Sequence, residues 1–180
     1  LRFPEKRWTD TAARSWLTKN KIKHTEFEAA ISKGKGTENS APCYSYYIDK
    51  AKKQLDIILH DEIGFWGMQS KEFHQLLAEN KDVSTISIDI NSPGGSVWDG
   101  FSIYNALKAH KAEVKVKVSG IAASIASVIA MAGDTIEMPE TSMMMIHRPF
   151  IPGVFGADAD KLRNQAEALD KIELGIISAY

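Results

Sequence analysis

Polar and apolar residues alternate strictly over residues 85–90, and Val114, Val116 and Val118 repeat the same two-residue period further on. Such alternation turns one row of side chains toward a core and the other away, as in a β-strand. Residues 44–48 and 55–60, rich in aromatic and β-branched side chains, predict two earlier strands. Residues 135–138 and 143–146 predict two short later ones. Between them the apolar period lengthens to that of a helix. Residues 70–79 gather Phe73, Leu76 and Leu77 on one side, and residues 97–110 carry Phe101, Ile103, Tyr104 and Leu107. Residues 124–132 are apolar and alanine-rich, and residues 157–180 space Leu162, Ala166, Leu169, Ile172 and Ile176 as one amphipathic face. Strand–helix alternation predicts an α/β fold with βαβ units and largely parallel pairing.

Residues 1–43 follow a different pattern. Residues 9–18 read as a helix, with Trp8, Ala12, Trp16 and Leu17 able to share a face and Thr9 or Asp10 placed to cap it. Residues 32–40, Ser-Lys-Gly-Lys-Gly-Thr-Glu-Asn-Ser, have the composition of a linker. The expected organisation is an appended helical arm and tether over 1–43 and one folded domain over 44–180.

Composition narrows the function classes. With 22 Lys and Arg against 23 Asp and Glu the net charge is −1, which provides no electrostatic footprint for nucleic acid or an anionic membrane. A single cysteine, Cys43, excludes a disulfide framework and a multi-cysteine zinc site within the chain, and favours a reducing compartment. The longest apolar stretch, residues 121–133, is too short to span a bilayer. His24, His60, His74 and His110 stand in separate polar contexts without metal-ligand spacing, so neither metal nor cofactor is expected. The methionines at 143–145 suit packing in a core or interface.

Three segments carry candidate chemistry. Ser124 stands at the predicted start of the alanine-rich helix, where free N–H groups and the helix dipole favour developing negative charge. The bland alternative is a capping serine. Ser127, one turn later, is expected to bond a carbonyl of the preceding turn. His147, 23 positions after Ser124 (147 − 124), follows an apolar strand and precedes Arg148-Pro149, which places it at a strand-to-loop exit. A packed histidine with one satisfied nitrogen is the plainer reading. Gly94 and Gly95 sit between a strand and a helix, where glycine lets backbone N–H groups meet a ligand. An oxyanion hole, a phosphate cradle and a tight turn all fit; the cradle lacks a following Gly-Lys-Ser/Thr.

The order of these segments is more specific than any one of them. Ile90-Asn91-Ser92-Pro93-Gly94-Gly95, then Gly120-Ile121-Ala122-Ala123-Ser124, then Met145-Ile146-His147-Arg148-Pro149, closely resembles the ClpP-type serine peptidases over residues 44–180. Residues 63–67, Ile-Gly-Phe-Trp-Gly, and residues 122–134 resemble the bacteriophage branch, the head maturation or prohead proteases. The resemblance implies a ClpP/crotonase-like fold of stacked ββα units, with the long last helix mediating assembly into a homo-oligomeric ring. It implies Ser124 as nucleophile, His147 as base, and the backbone amides of Gly94 and Ile125 as oxyanion donors. The implied substrate is protein or peptide, in particular capsid scaffold or coat precursors, in host cytoplasm or an assembling prohead.

One departure matters. The family's acid lies in a strand beyond the long helix, and Asp134, Glu140, Asp158 and Asp160 do not match its position. Truncation of the sequence is the expected reason, consistent with a start at Leu1, and residues 1–180 alone are expected to be weakly active or inactive. A partner-supplied acid or an inactive structural subunit is the other explanation. The same fold also hosts crotonase-like acyl-CoA enzymes, and Lys115 and Lys117 leave a Ser/Lys peptidase open.

Overall fold

The computed structural model describes residues 44–180. The expected arm, its helix over 9–18, the linker and Cys43 lie outside the described residues. Six strands form one sheet: β1 (Tyr44–Asp49), β2 (Gln54–His60), β3 (Thr85–Ser92), β4 (Glu113–Ala123), β5 (Thr135–Glu137) and β6 (Met143–Met145). The helices are α1 (Ser70–Glu79), α2 (Val97–Ala109), α3 (Ile125–Ala130) and α4 (Ala159–Ala179). The strand order is β1-β2-β3-β4-β5, with β6 also on β4. All pairings are parallel except β1–β2, which is antiparallel because residues 50–53 turn the chain directly back.

The alternating rows behave as their period demands. Ile86, Ile88 and Ile90 of β3 and Val114, Val116 and Val118 of β4 are buried, next to Leu55, Ile57 and Leu59 of β2. Phe73, Leu76 and Leu77 of α1 and Ile103 and Leu107 of α2 close over them. α3 is buried at every position, since its small side chains let it sit against the sheet. It is one turn shorter than the apolar pattern suggested: residues 131–133 leave the helix through backbone bonds to Ser127, Val128, Ile129 and Ala130. The N-terminus of α1 has no capping side chain of its own. Asp99, from the first turn of α2, accepts the Ser70 N–H at 2.8 Å and so ties the two helices. Partial burial pushes the Asp99 carboxyl upward, but hydrogen bonds from Ser70 and Ser96 outweigh it and hold the group below the usual carboxylate range.

α4 is different. None of its residues is buried, although Ile176 and Ala179 pack against the core. Of its predicted apolar face, Leu169, Ile172 and Ile176 are partly covered, while Leu162 and Ala166 are exposed. Among the described residues no helix is long and apolar enough to cross a membrane.

Candidate active site

β4 builds the site. Its first half pairs with β3 in simple register as far as Ile90↔Val118, and then the register jumps to Ser92↔Ala122. Two extra residues of β4 are accommodated around Gly120, where the Asn91 side chain accepts the Ile121 N–H at 3.2 Å. Ala122 is then flanked by Ser92 on one edge and by Met144 of β6 on the other. The parallel β4–β6 ladder sets Ile121, Ala122 and Ala123 opposite Met143, Met144 and Met145. It continues one step further, with the Ser124 N–H donating to the Met145 carbonyl at 2.8 Å. Backbone pairing thus carries Ser124 and the β6 exit to the same place, and two residues on is His147.

The two side chains meet: His147 Nε2 lies 2.8 Å from Ser124 Oγ. That is within reach for a base that removes the hydroxyl proton. Ser124 is not the capping serine of the plainer reading. Its side chain makes no cap hydrogen bond, and its backbone has φ 53 and ψ −129. A positive φ is costly for a residue with a side chain, by about 1–3 kcal/mol, and persists only where the surroundings enforce it. Here the ladder on one side and buried α3 on the other do so. The turn lifts Oγ out of the sheet toward the histidine.

His147 is held from two directions. Phe150 packs edge-to-face on the imidazole, with centroids 5.5 Å apart. Arg148, the next residue, pairs with Glu173 of α4 at 3.0 Å. Among the described residues no carboxylate is paired with His147. Asp134 instead accepts the Val114 N–H at 2.8 Å, Asp158 caps α4 by accepting the Lys161 N–H at 2.8 Å, and Asp160 pairs with Arg163 at 2.7 Å. Three of the four acids set aside in the sequence, all but Glu140, are thus employed in structural bonds.

The Gly94–Gly95 turn lies against the serine. Gly94 has φ +94, and a Cβ added there would come within 2.6 Å of the Ala123 carbonyl oxygen and of Ser124 Cβ, and 3.2 Å from the Ile125 nitrogen. Only glycine allows this approach. The Gly94 N–H donates to Ser92 Oγ at 3.2 Å in this conformation, whereas Ile63 bonds the Gly94 carbonyl and the Ser96 N–H and skips the Gly95 amide. The Ile125 amide opens α3 beside Ser124 Oγ, with its side chain seated against Gly100 of α2. Both backbone positions expected as anion donors therefore border the serine, and Gly95, named with Gly94 in the sequence as a possible donor, adjoins them.

Other expectations resolve as follows. The Ser127 hydroxyl bonds the Ser124 carbonyl, as anticipated, but it also meets the Tyr180 hydroxyl of α4. No sequence spacing announces that second contact, because the residues are 53 positions apart. Lys115 pairs with Glu113 at 3.2 Å in the first half of β4, at the opposite end of the strand from Ser124, so the Ser/Lys reading lacks its geometry. Met144 packs on the core, while Met143 and Met145 are exposed. Among the described residues no cluster of three His, Cys, Asp or Glu could hold a metal.

Comparison with known proteins agrees with this architecture. The Clp protease family model matches residues 39–180. The "ATP-dependent Clp protease proteolytic subunit 1" of Protochlamydia amoebophila is 37% identical over 94 residues, which are 51% of this chain and 45% of that protein. Its counterpart in Chlamydia pneumoniae is 37% identical over 94 residues, 51% of this chain and 49% of that protein. The chain spans about half the length of these curated relatives. A ClpP1 mutant from Listeria monocytogenes has the same fold, with a TM-score of 0.55 and 24% identity over 69% of this chain and 68% of that one. A match over most of the sequence, joined to the α/β fold that the motifs implied, settles the assignment: this chain belongs to the Clp protease family.

Proposed function

We propose that this chain carries the nucleophile and base of a serine endopeptidase of the ClpP type. The observation that carries the reading is the 2.8 Å contact between His147 Nε2 and Ser124 Oγ, formed at a strained turn. Ser124 Oγ attacks the peptide carbonyl while His147 takes its proton, and the protonated imidazole then delivers that proton to the leaving amine. Negative charge on the tetrahedral oxygen is met by the Ile125 N–H and by an amide of the glycine turn. Gly94 serves if Ser92 Oγ releases it, and Gly95 is the adjoining donor. A crotonase-like acyl-CoA enzyme has no need of the serine–histidine contact, and the geometry does not favour it.

The substrates are protein chains, and the proposed biological ones are phage scaffold or coat precursors. That finer assignment rests on the resemblance of residues 63–67 and 122–134 to the prohead proteases. Assembly into a homo-oligomeric ring is supported by α4, whose Leu174 and Ile177 are 67% and 60% exposed, and by exposed Met143 on the edge strand. The orienting acid is supplied from outside the described residues. Co-expression of the full-length protein with its capsid precursors tests the function. Cleaved precursor with the native protein and intact precursor with Ser124→Ala is the expected outcome. Equal cleavage with both removes Ser124 from the chemistry, and cleavage only of unrelated unfolded chains removes the capsid assignment.

A further inference from the structure

Ser127 is fully buried, and its hydroxyl joins two groups: it lies 2.5 Å from the Ser124 carbonyl oxygen and 2.5 Å from the Tyr180 hydroxyl. A hydroxyl has one proton. The Ser127 O–H therefore donates to the carbonyl, and the Tyr180 O–H donates to Ser127 Oγ. The Ser127 N–H adds a second bond to the same carbonyl at 3.0 Å.

That carbonyl belongs to the peptide unit between Ser124 and Ile125. The unit is planar, so the direction of its C=O fixes the direction of its N–H. The N–H is that of Ile125, the amide assigned above to the oxyanion. The preceding torsion is the strained one, with Ser124 at φ 53 and ψ −129, and rotation of this peptide would relieve it at the cost of turning the donor away. We infer that Ser127 and Tyr180 are positioning residues: the Tyr180–Ser127–Ser124 hydrogen-bond chain clamps the Ser124–Ile125 peptide so that the Ile125 N–H stays aimed at the developing oxyanion. Polarisation of the carbonyl by two donors also makes the N–H at the other end of the same amide a better donor. Neither residue touches substrate. Tyr180 closes α4, so the long helix reaches the catalytic centre through this chain as well as through Arg148 and Glu173.

The inference rests on the peptidase reading and is tested separately from it. In the full-length protein, Tyr180→Phe keeps the ring and removes only the donor, Ser127→Ala removes both links, and the double variant completes a cycle. Ser127→Ala is expected to lower kcat on a peptide substrate about 10-fold, and Tyr180→Phe about 3-fold, less than outright loss of a donor. KM should change little in either. Affinity for a peptide boronate, which places an oxygen where the oxyanion forms, should fall by the same factors as kcat/KM. The double variant should match Ser127→Ala alone, because both substitutions break one chain. Should Ser127→Ala fold poorly, Tyr180→Phe carries the test by itself. Variants that lose melting temperature but keep kcat/KM and boronate affinity within twofold overturn the inference and make the chain a packing feature only. Absence of fluorophosphonate labelling at Ser124 in the native protein overturns the peptidase reading itself; normal labelling with unaffected variants overturns the clamp alone.

Discussion

The end of β4 and the long helix α4 hold the same site by opposite means. Around Ser124 the geometry is fixed by main-chain pairing inside a closed core: Ala122 and Ala123 are at most 2% exposed, and β3 and β6 border Ala122 on both sides. α4 has no buried residue; it rests on the core through Ile176 and Ala179 and, among the described residues, is tied to the site by Glu173 to Arg148 and by Tyr180, just past its end, to Ser127. A strand register with a buried face is strongly specified, and a close-packed core leaves it little room to shift. A helix resting on few contacts has a local stability that a covering partner can raise. The serine and histidine are therefore expected to be present in the lone subunit, while the alignment of the base is expected to respond to what covers α4.

The largest effects should come from the β4 side. Ser124→Ala or His147→Ala should each remove about 10⁴-fold or more of kcat on a peptide substrate, and the pair together little more than either, as measured by steady-state hydrolysis. Gly94→Ala comes next. The new methyl meets Ala123 O and Ser124 Cβ at 2.6 Å in a backbone of positive φ, so activity should fall at least about 100-fold, with a clear drop in melting temperature. An unchanged melting curve and activity would mean that the glycine turn does not touch the nucleophile.

The α4 side should give smaller and conditional losses. Leu174→Glu together with Ile177→Lys should shift the protein toward smaller species by sedimentation and reduce activity in proportion to the lost assembly, leaving the melting of the isolated fold nearly unchanged. Arg148→Gln should lower kcat only a few-fold, because an exposed ion pair is worth at most about 1 kcal/mol. Smallest is Asp99→Asn, which weakens the tie between α1 and α2 by about 1 kcal/mol. Since the folded carboxyl titrates below its ordinary value, its contribution is complete above the unfolded pKa and fades as pH falls through the folded one. The melting temperatures of native and D99N protein should therefore differ near neutrality and converge in acid.

What the sequence disclosed divides along the same line. Period-two burial in β3 and β4, and the apolar stripes of α1 and α2, are local properties, and the elements form where the pattern puts them. The bond from Ser127 to the carbonyl one turn back is local too. The antiparallel β1 was not separable from the parallel strands, because edge and central strands share their composition and only residues 50–53 reverse the chain. The approach of Ser124 to His147 was legible from the order of three motifs; its cause, the register of Ala123 on Met145, is a long-range pairing that no period encodes. Tyr180 on Ser127, Asp99 on Ser70 and Asp134 on Val114 were invisible for the same reason. A capping role for Ser124 stayed open in the sequence because the residue precedes a helix; its positive φ and the missing cap hydrogen bond exclude it.

The central claim is that Ser124 is a nucleophile activated by His147, and active-site labelling addresses it most directly. A fluorophosphonate applied to the full-length protein, with the adduct located by peptide mass spectrometry, should modify Ser124 alone among the serines, and His147→Ala should abolish the adduct. Modification at another serine, or a Ser124 adduct that forms equally fast without His147, would contradict the account.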